Sequence, residues 1–199
     1  MNHFVMMAQV CHGRAHKWTQ RAFLQQHTLG RKGVCGELAA KWIRDTAYGI
    51  PFNNTTNTLN GREEIMGLAL SRFRGQSNID YYLGMYGINK IHVNTYQYIN
   101  KQGMFLFMAA NVGYYIITIS TPGPLQAHAI ALDMYNLKIF DPNFGQVKFE
   151  HFDNLKVFIR LLLMNKYPTY NNQILIECYS LQQPITPDEV DVLTQELQI

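Results

Sequence analysis

The chain changes from helical to stranded patterning near its middle, and this change limits the folds open to it. After Gly103 the pattern becomes that of strands. Tyr114–Ser120 is β-branched or aromatic almost throughout, and Thr121-Pro122-Gly123-Pro124 ends it as Pro and Gly end a strand. Further strands are predicted over Ala127–Met134, Leu137–Phe140, Val147–Phe149 and Ile174–Tyr179.

The preceding residues show the spacing of helices. Leu38 and Trp42 are one helical turn apart, and Gly49-Ile50-Pro51 ends the run that contains them. Helices first and antiparallel strands second predict an α+β domain, with a helical front half packed on a central antiparallel sheet. The predicted helices cover residues 14–27, Glu37 to near Gly49, 62–74, 78–86 and, between the strands, 152–165.

The length and composition exclude several classes of protein. A length of 199 residues predicts a single domain over residues 1–199, ending in a short acidic tail at about 184–199. Twelve Tyr, eleven Phe and two Trp exclude intrinsic disorder for most of the chain. Three cysteines, Cys11, Cys35 and Cys178, are an odd and low number for a disulfide scaffold, and they fit a reducing compartment.

No membrane span or conventional signal peptide is predicted. The longest apolar runs, such as Met104–Ala110, fall well short of the roughly 20 residues that a spanning helix needs. The first eight residues lack Lys or Arg ahead of their apolar stretch, and Cys11-His12 follows at once.

Basic residues are concentrated at the front of the chain. Residues 1–44 hold seven Lys or Arg against one acid, Glu37, which gives this segment a charge of +6. A solvated helix face explains such a segment, and so does a surface that attracts an acidic partner or anionic lipid. No nucleic-acid-binding motif and no phosphate-binding loop after a strand is found.

Cys35 stands in the strongest local motif, Gly33-Val34-Cys35-Gly36, at the start of a predicted helix. Unpaired amide groups at a helix start favour the thiolate. The two glycines would let a substrate backbone approach. A buried, small apolar residue is the competing interpretation of a free cysteine.

His128 and Asp141 are placed to meet by two adjacent strands. If Tyr135-Asn136 is a two-residue hairpin turn, Ile130 faces Asp141, and His128 shares a face with Ile130. The two are then diagonal neighbours, about 7–8 Å apart by backbone and within reach of an imidazole–carboxylate hydrogen bond. A turn one residue earlier places them directly opposite, whereas a three-residue loop without a bulge separates them. An ordinary core or surface histidine remains the alternative.

Small residues alternate with His128 along its strand. Ala127, Ala129 and Ala131 would let another layer of structure approach the opposite face closely. Asp133 lies on that opposite face and is therefore a poorer partner for His128.

Three segments together resemble the YopT/AvrPphB family of bacterial virulence cysteine proteases, which have a papain-like fold. They are GVCGELAAKWI at 33–43, AHAIAL at 127–132 and FDPNFG at 140–145, and they occur in the family's order. The resemblance implies that Cys35 is the nucleophile, His128 the base and Asp141 the residue that orients the base.

One position departs from the papain pattern. Papain-like enzymes carry a Gln or Asn five or six residues before the nucleophile, where this chain has Gly30 and Leu29. Gln25 and Gln26 lie farther back. The backbone N–H of Cys35, at a helix start, is the expected oxyanion donor, and the second donor is left open.

The resemblance implies a cysteine protease, a thiol hydrolase that works through a Cys-His-Asp triad and a thioester. A glutamine deamidase, transglutaminase or lysine acyltransferase would use the same residues, and a non-catalytic host-protein-binding effector would keep the fold alone. No cofactor and no metal is expected. A metal site at Cys11, His12 and His16 lacks a second ligand pair at the usual spacing.

The resemblance also implies where such a protein acts. Family members are secreted bacterial effectors that work in the host cell cytoplasm. A host protein is the expected substrate, a membrane-near target is compatible with the basic front, and nucleic acid is not an expected partner. We expect a monomer.

Overall fold

One antiparallel sheet forms the centre of the computed structural model, which describes residues 3–19, 34–52, 56, 58–75, 78–98, 101–122 and 126–182. Within these residues seven strands pair in the order β1-β6-β5-β4-β3-β7-β2, and every neighbouring pair is antiparallel. The strands are β1 (Arg14–Lys17), β2 (Ile88–Gln97), β3 (Tyr114–Ser120), β4 (Ala127–Asp133), β5 (Lys138–Asp141), β6 (Gly145–Lys148) and β7 (Gln173–Leu181).

Helices cover both faces of this sheet. The described residues form α1 (His3–Val10), α2 (Cys35–Ala47), α3 (Leu59–Phe73), α4 (Ile79–Met85), α5 (Lys101–Ala110) and α6 (Phe152–Lys166). Side chains of α1, α5 and α6 share one buried core with Ile130 and Leu132 of β4. Side chains of α2, α3 and α4 share a second core with the alternate residues Ala129 and Ala131. The two faces of β4 therefore belong to different cores, as strand alternation requires.

The predicted strands and most helices are found close to their expected bounds. Two segments were predicted as the wrong type of element. Arg14–Lys17 is a strand paired with β6 rather than part of a helix, and residues 20–27 of that predicted helix lie outside the described part of the chain. Lys101–Ala110 is a helix, although strands were expected after Gly103. Met104 and Met108 lie one helical turn apart, and both are buried.

Strand β2 was not predicted from the sequence. It is an edge strand, and most of its side chains are exposed on both faces. Such a strand shows no apolar alternation, which is the signal that identifies half-buried strands. The acidic tail at 184–199 lies outside the described residues.

None of the helices in the described ranges is long and apolar enough to cross a membrane.

A buried cluster of four charged side chains joins α2 to α3. Lys41 Nζ lies 2.7 Å from Glu64 Oε2, and Arg44 Nη1 lies 2.9 Å from Glu64 Oε1. Arg44 also contacts Asp45 at 2.6 Å. Burial raises the pKa of Glu64, but the charges of Arg44 and Lys41 outweigh burial and lower it. The cluster is electrically neutral, which a buried group of charges requires.

This cluster corrects the expectation of a solvated basic face. Lys41 and Arg44 are two of the seven basic residues at the front of the chain, and they are 1% and 3% exposed. Their charges are neutralised inside the protein, so they cannot attract a partner at the surface. Arg14, by contrast, is exposed and lies 3.9 Å from Glu150.

We expect Glu64→Gln to lower the free energy of unfolding by about 3–5 kcal/mol, because it leaves two buried cations with one buried anion. Denaturant unfolding followed by circular dichroism measures this change. Glu63→Gln is the matched control, since Glu63 is the exposed neighbour on the same helix, and it should change stability by no more than about 0.5 kcal/mol. Equal effects of the two substitutions would contradict a stabilising role for the cluster.

Candidate active site

Helix α2 begins at Cys35, so the thiol lies in the first helical turn. The first intrahelical bond runs from Leu38 N–H to the Val34 carbonyl, at 3.0 Å. The amide of Cys35 therefore precedes the hydrogen-bonded ladder of the helix. The position of Cys35 at the start of a helix was predicted from the sequence.

Gly36 was expected to give a substrate room to approach, but neighbouring side chains of the protein use that room. A Cβ atom at Gly36 would lie 3.0 Å from Arg72 Nη1 and 3.1 Å from Ile79 Cδ1. Glycine at this position therefore allows α3 and α4 to pack closely against the first turn of α2. Gly33 lies outside the described residues.

Small residues of β4 and an aromatic stack hold α2 on the sheet. Ala129 and Ala131 lie in the core that contains α2, which is the close approach predicted from their size. Trp42 stacks on Phe140, with ring centroids 5.7 Å apart and planes 10° from parallel. Its Nε1–H donates to Gln146 Oε1 at 3.0 Å. The helix is thereby tied to β5 and β6.

The β4–β5 hairpin has the first of the two predicted registers. Leu132 pairs with Ile139, and Asp133 pairs with Lys138. The turn covers residues 134–137. Asp133 accepts hydrogen bonds from the backbone N–H of Asn136, at 3.1 Å, and from its side-chain amide, at 2.8 Å. Asp133 thus stabilises the turn, in agreement with the prediction that it is not the partner of His128.

The hairpin brings His128 and Asp141 into contact. His128 Nε2 lies 3.1 Å from Asp141 Oδ1, and both residues are buried, at 4% and 1% exposure. The backbone N–H of Asn143 donates to the same carboxylate oxygen at 2.8 Å. An acceptor-only carboxylate beside Nε2 requires the proton on that nitrogen.

Tyr167 also contacts this pair. Its hydroxyl lies 2.8 Å from His128 Nε2 and donates to Asp141 Oδ2 at 2.7 Å. The rings of Tyr167 and His128 are stacked, with centroids 4.7 Å apart. Because Nε2 is occupied, Nδ1 is the ring nitrogen left for Cys35.

Cys35 completes the cluster from the opposite layer of the fold. The His128 side chain and the backbone N–H of Ala129 both lie close enough to its sulfur to lower the pKa of the thiol. The described pairing of β4 with β5 starts at Ala131, so the part of β4 that carries His128 and Ala129 extends beyond β5. The start of α2 meets β4 there.

The Cys35 thiol and the His128 imidazole shift each other's pKa. Burial raises the pKa of the Cys35 thiol, but the hydrogen bond and charge of His128 and the Ala129 amide outweigh it, and the pKa is lowered. Burial lowers the pKa of His128, but the charge of Asp141 and hydrogen bonds to Asp141 and Cys35 raise it to about 10. Falling pH therefore removes the thiolate at the lowered Cys35 pKa, and rising pH removes the imidazolium near 10. Between these limits the two pKa shifts favour a thiolate–imidazolium pair.

The other two cysteines lack such an environment. Cys11 and Cys178 are buried, and burial raises the pKa of each thiol. The asymmetry between Cys35 and the other cysteines was predicted from the sequence.

Glu37 is a buried acid near the thiol. It is fully buried, and Arg72 Nε lies 2.8 Å from its Oε1. Burial raises the pKa of Glu37, and the charge of Arg72 opposes this rise. Its charge also acts on Cys35, in the direction that raises the thiol pKa.

No group of three or more His, Cys, Asp or Glu side chains among the described residues is placed to hold a metal ion. Cys11, His12 and His16 therefore do not form such a group. Gln25, Gln26, Leu29 and Gly30 lie outside the described residues.

Sequence reasoning did not identify Tyr167. It is the residue after α6 and precedes Pro168, which disfavours continuation of the helix. A tyrosine at a helix end before proline is a weak signal, and nothing local links it to His128, 39 positions away. Asn143 belongs to the FDPNFG segment at 140–145, but no sequence pattern indicates its contact with Asp141.

The fold is that of papain-like cysteine proteases. The chain is similar to the crystal structure of the Pseudomonas avirulence protein AvrPphB, with a TM-score of 0.50 and 13% sequence identity. The similarity covers 77% of this chain and 94% of that chain. The predicted fold class, an α+β domain with a papain-like core, is thus confirmed.

The resemblance to the YopT/AvrPphB-type virulence family is confirmed as well. The family model described as Yersinia/Haemophilus virulence surface antigen (Peptidase_C58) matches residues 106–177. These residues include His128, Asp141 and Tyr167, but Cys35 lies before them. Comparison with curated protein sequences gives no significant match.

The pH dependence of thiol alkylation tests the environment of Cys35. We expect iodoacetamide to label Cys35 with a midpoint below the ordinary thiol value of about 8.5, and His128→Ala to raise that midpoint. Peptide mass spectrometry resolves the three cysteines, and Cys11 and Cys178 serve as internal controls in the folded protein. Labelling of all three with one common midpoint would contradict an activated thiol.

Proposed function

We propose that this protein is a cysteine protease effector that acts on host proteins through Cys35, His128 and Asp141. The proposal rests on the position of His128, which is hydrogen-bonded to Asp141 and lies close enough to the Cys35 sulfur to lower the pKa of the thiol. A nucleophile, a base and an orienting group in this order form the general arrangement for covalent catalysis. The similarity to virulence cysteine proteases supports the same assignment.

The proposed reaction begins with the thiolate–imidazolium pair. The Cys35 sulfur attacks the carbonyl carbon of the scissile amide, and the carbonyl oxygen becomes an oxyanion. The Cys35 amide at the start of α2 is the proposed donor to that oxyanion. Collapse of the intermediate breaks the carbon–nitrogen bond, and His128 transfers its Nδ1 proton to the leaving amine. The product of this half-reaction is a thioester on Cys35.

Water then completes the cycle. His128, now neutral, accepts a proton from the attacking water at Nδ1, and the hydroxide adds to the thioester. Expulsion of the Cys35 thiolate releases the carboxylic acid and restores the ion pair. Asp141 keeps the Nε2 proton in place in both half-reactions and balances the charge of the imidazolium.

A host protein is the proposed substrate, and the host cytosol is the proposed site of action. All three cysteines are free, which suits a reducing compartment. The buried positions of Lys41 and Arg44 weaken the argument for a membrane-near target from overall charge.

We expect Cys35→Ala and His128→Ala to lower the rate of peptide-bond cleavage by about 10⁴-fold or more, as loss of a nucleophile or base does in triad hydrolases. The measurement is mass spectrometry of new protein N-termini in host lysate treated with each variant. His16→Ala is the control, because His16 is exposed on β1 and should leave the rate unchanged.

The same spectra separate the alternatives. A mass change of about +1 Da at glutamine identifies a deamidase, and an added amine or acyl chain identifies a transferase. New termini that appear equally with Cys35→Ala, or no chemical change at all, would overturn the protease proposal.

A further inference from the structure

The end of α6 places an aromatic ring on the buried side of the His128–Asp141 pair. Tyr167 caps the helix, and its backbone N–H still bonds to the Leu163 carbonyl at 3.2 Å. The residue is 4% exposed. Since β4 carries His128 on the face that packs against α6, the tyrosine ring reaches the imidazole from that layer.

The hydroxyl of Tyr167 has three polar partners. It donates to Asp141 Oδ2 at 2.7 Å, and the Asn143 side-chain amide donates to it at 3.1 Å. The third partner is His128 Nε2 at 2.8 Å. One O–H donor and two acceptor sites are the full capacity of a hydroxyl group, and all are used here.

The directions of these bonds leave a single arrangement of protons. The tyrosine O–H points to the carboxylate, so the tyrosine oxygen is an acceptor toward Nε2. The Nε2 proton is therefore shared between Asp141 Oδ1 and the oxygen of Tyr167. Burial, followed by the charge of Asp141, raises the pKa of Tyr167 far above its ordinary value, which keeps the phenol protonated.

We propose that Tyr167 is a positioning residue of the active site, which fixes the tautomer and ring plane of His128 through this closed set of hydrogen bonds. The ring stack restrains the imidazole from one side, and the shared proton restrains it in its plane. Nδ1 is then held toward Cys35 before substrate binds. This inference rests on the proposed function and adds a fourth side chain to it.

Tyr167→Phe tests the proposal, since it removes one oxygen and keeps the ring. We expect the rate of Cys35 alkylation below the ordinary thiol pKa to fall about tenfold or more, the size of effect of one hydrogen bond to a charged group. The alkylation midpoint should rise toward about 8.5. With a cleavable substrate, kcat should fall while KM stays unchanged.

Tyr170→Phe is the matched control. The ring of Tyr170 packs edge-on against Tyr167, with centroids 5.5 Å apart, but its hydroxyl is not a partner of His128 or Asp141. It should keep the wild-type rate and midpoint. Asn143→Ala is a second variant, which removes one donor to the Tyr167 hydroxyl and should raise the midpoint by a smaller amount.

The outcomes separate this inference from the proposed function. An ordinary midpoint in the wild-type protein would overturn the proposed function and this inference with it. A lowered wild-type midpoint that Tyr167→Phe and Asn143→Ala leave unchanged would overturn only the role of Tyr167. A loss of thermal stability in Tyr167→Phe without a change in midpoint would indicate a structural role alone, and so would an equal shift in Tyr170→Phe.

Discussion

The pairing of β4 with β5 is the interaction on which the site depends. Its register sets Ala131 opposite Phe140, and it places Asp141 beside His128. A slip by one residue would turn one member of the polar pair to the other face of the sheet. The same slip would move Phe140 away from Trp42 and so release α2. One short hairpin therefore sets both the polar contact and the docking of the helix that carries Cys35.

The close packing of α2 on the sheet requires that the charged side chains of this helix be paired inside the protein. A helix that packs on Ala129 and Ala131 buries most of its surface, including Lys41 and Arg44. Charged groups enter a protein interior only when they are paired, and Glu64 of α3 supplies the main counter-charge. The polar side of α2 is thus an interface with α3, whereas its apolar side is an interface with the sheet. Both sides of the helix are fixed, which limits the movement of Cys35 at its start.

The parts of the site that could be predicted are those set by local pattern. Strand alternation and a short turn are sufficient to bring His128 near Asp141, and a glycine-flanked cysteine before an apolar run is sufficient to identify the start of α2. The contact of Cys35 with His128 joins residues far apart in the chain, so the family resemblance was needed to suggest it. Tyr167 was missed because no periodicity connects the end of α6 to β4. Lys41 and Arg44 were misjudged because a charge count does not show which side of a helix is covered by another helix.

Two buried carboxylates influence Cys35 in opposite directions. Asp141 acts through His128 and favours the thiolate, whereas the charge of Glu37 disfavours it. An ionised Glu37 without a counter-charge would oppose the ion pair more strongly, and Arg72 supplies that counter-charge at 2.8 Å. The guanidinium reaches this place across Gly36, where any side chain would meet it at 3.0 Å. The glycine after Cys35 is therefore explained by charge balance at the start of α2, and an open space for substrate is not needed to account for it.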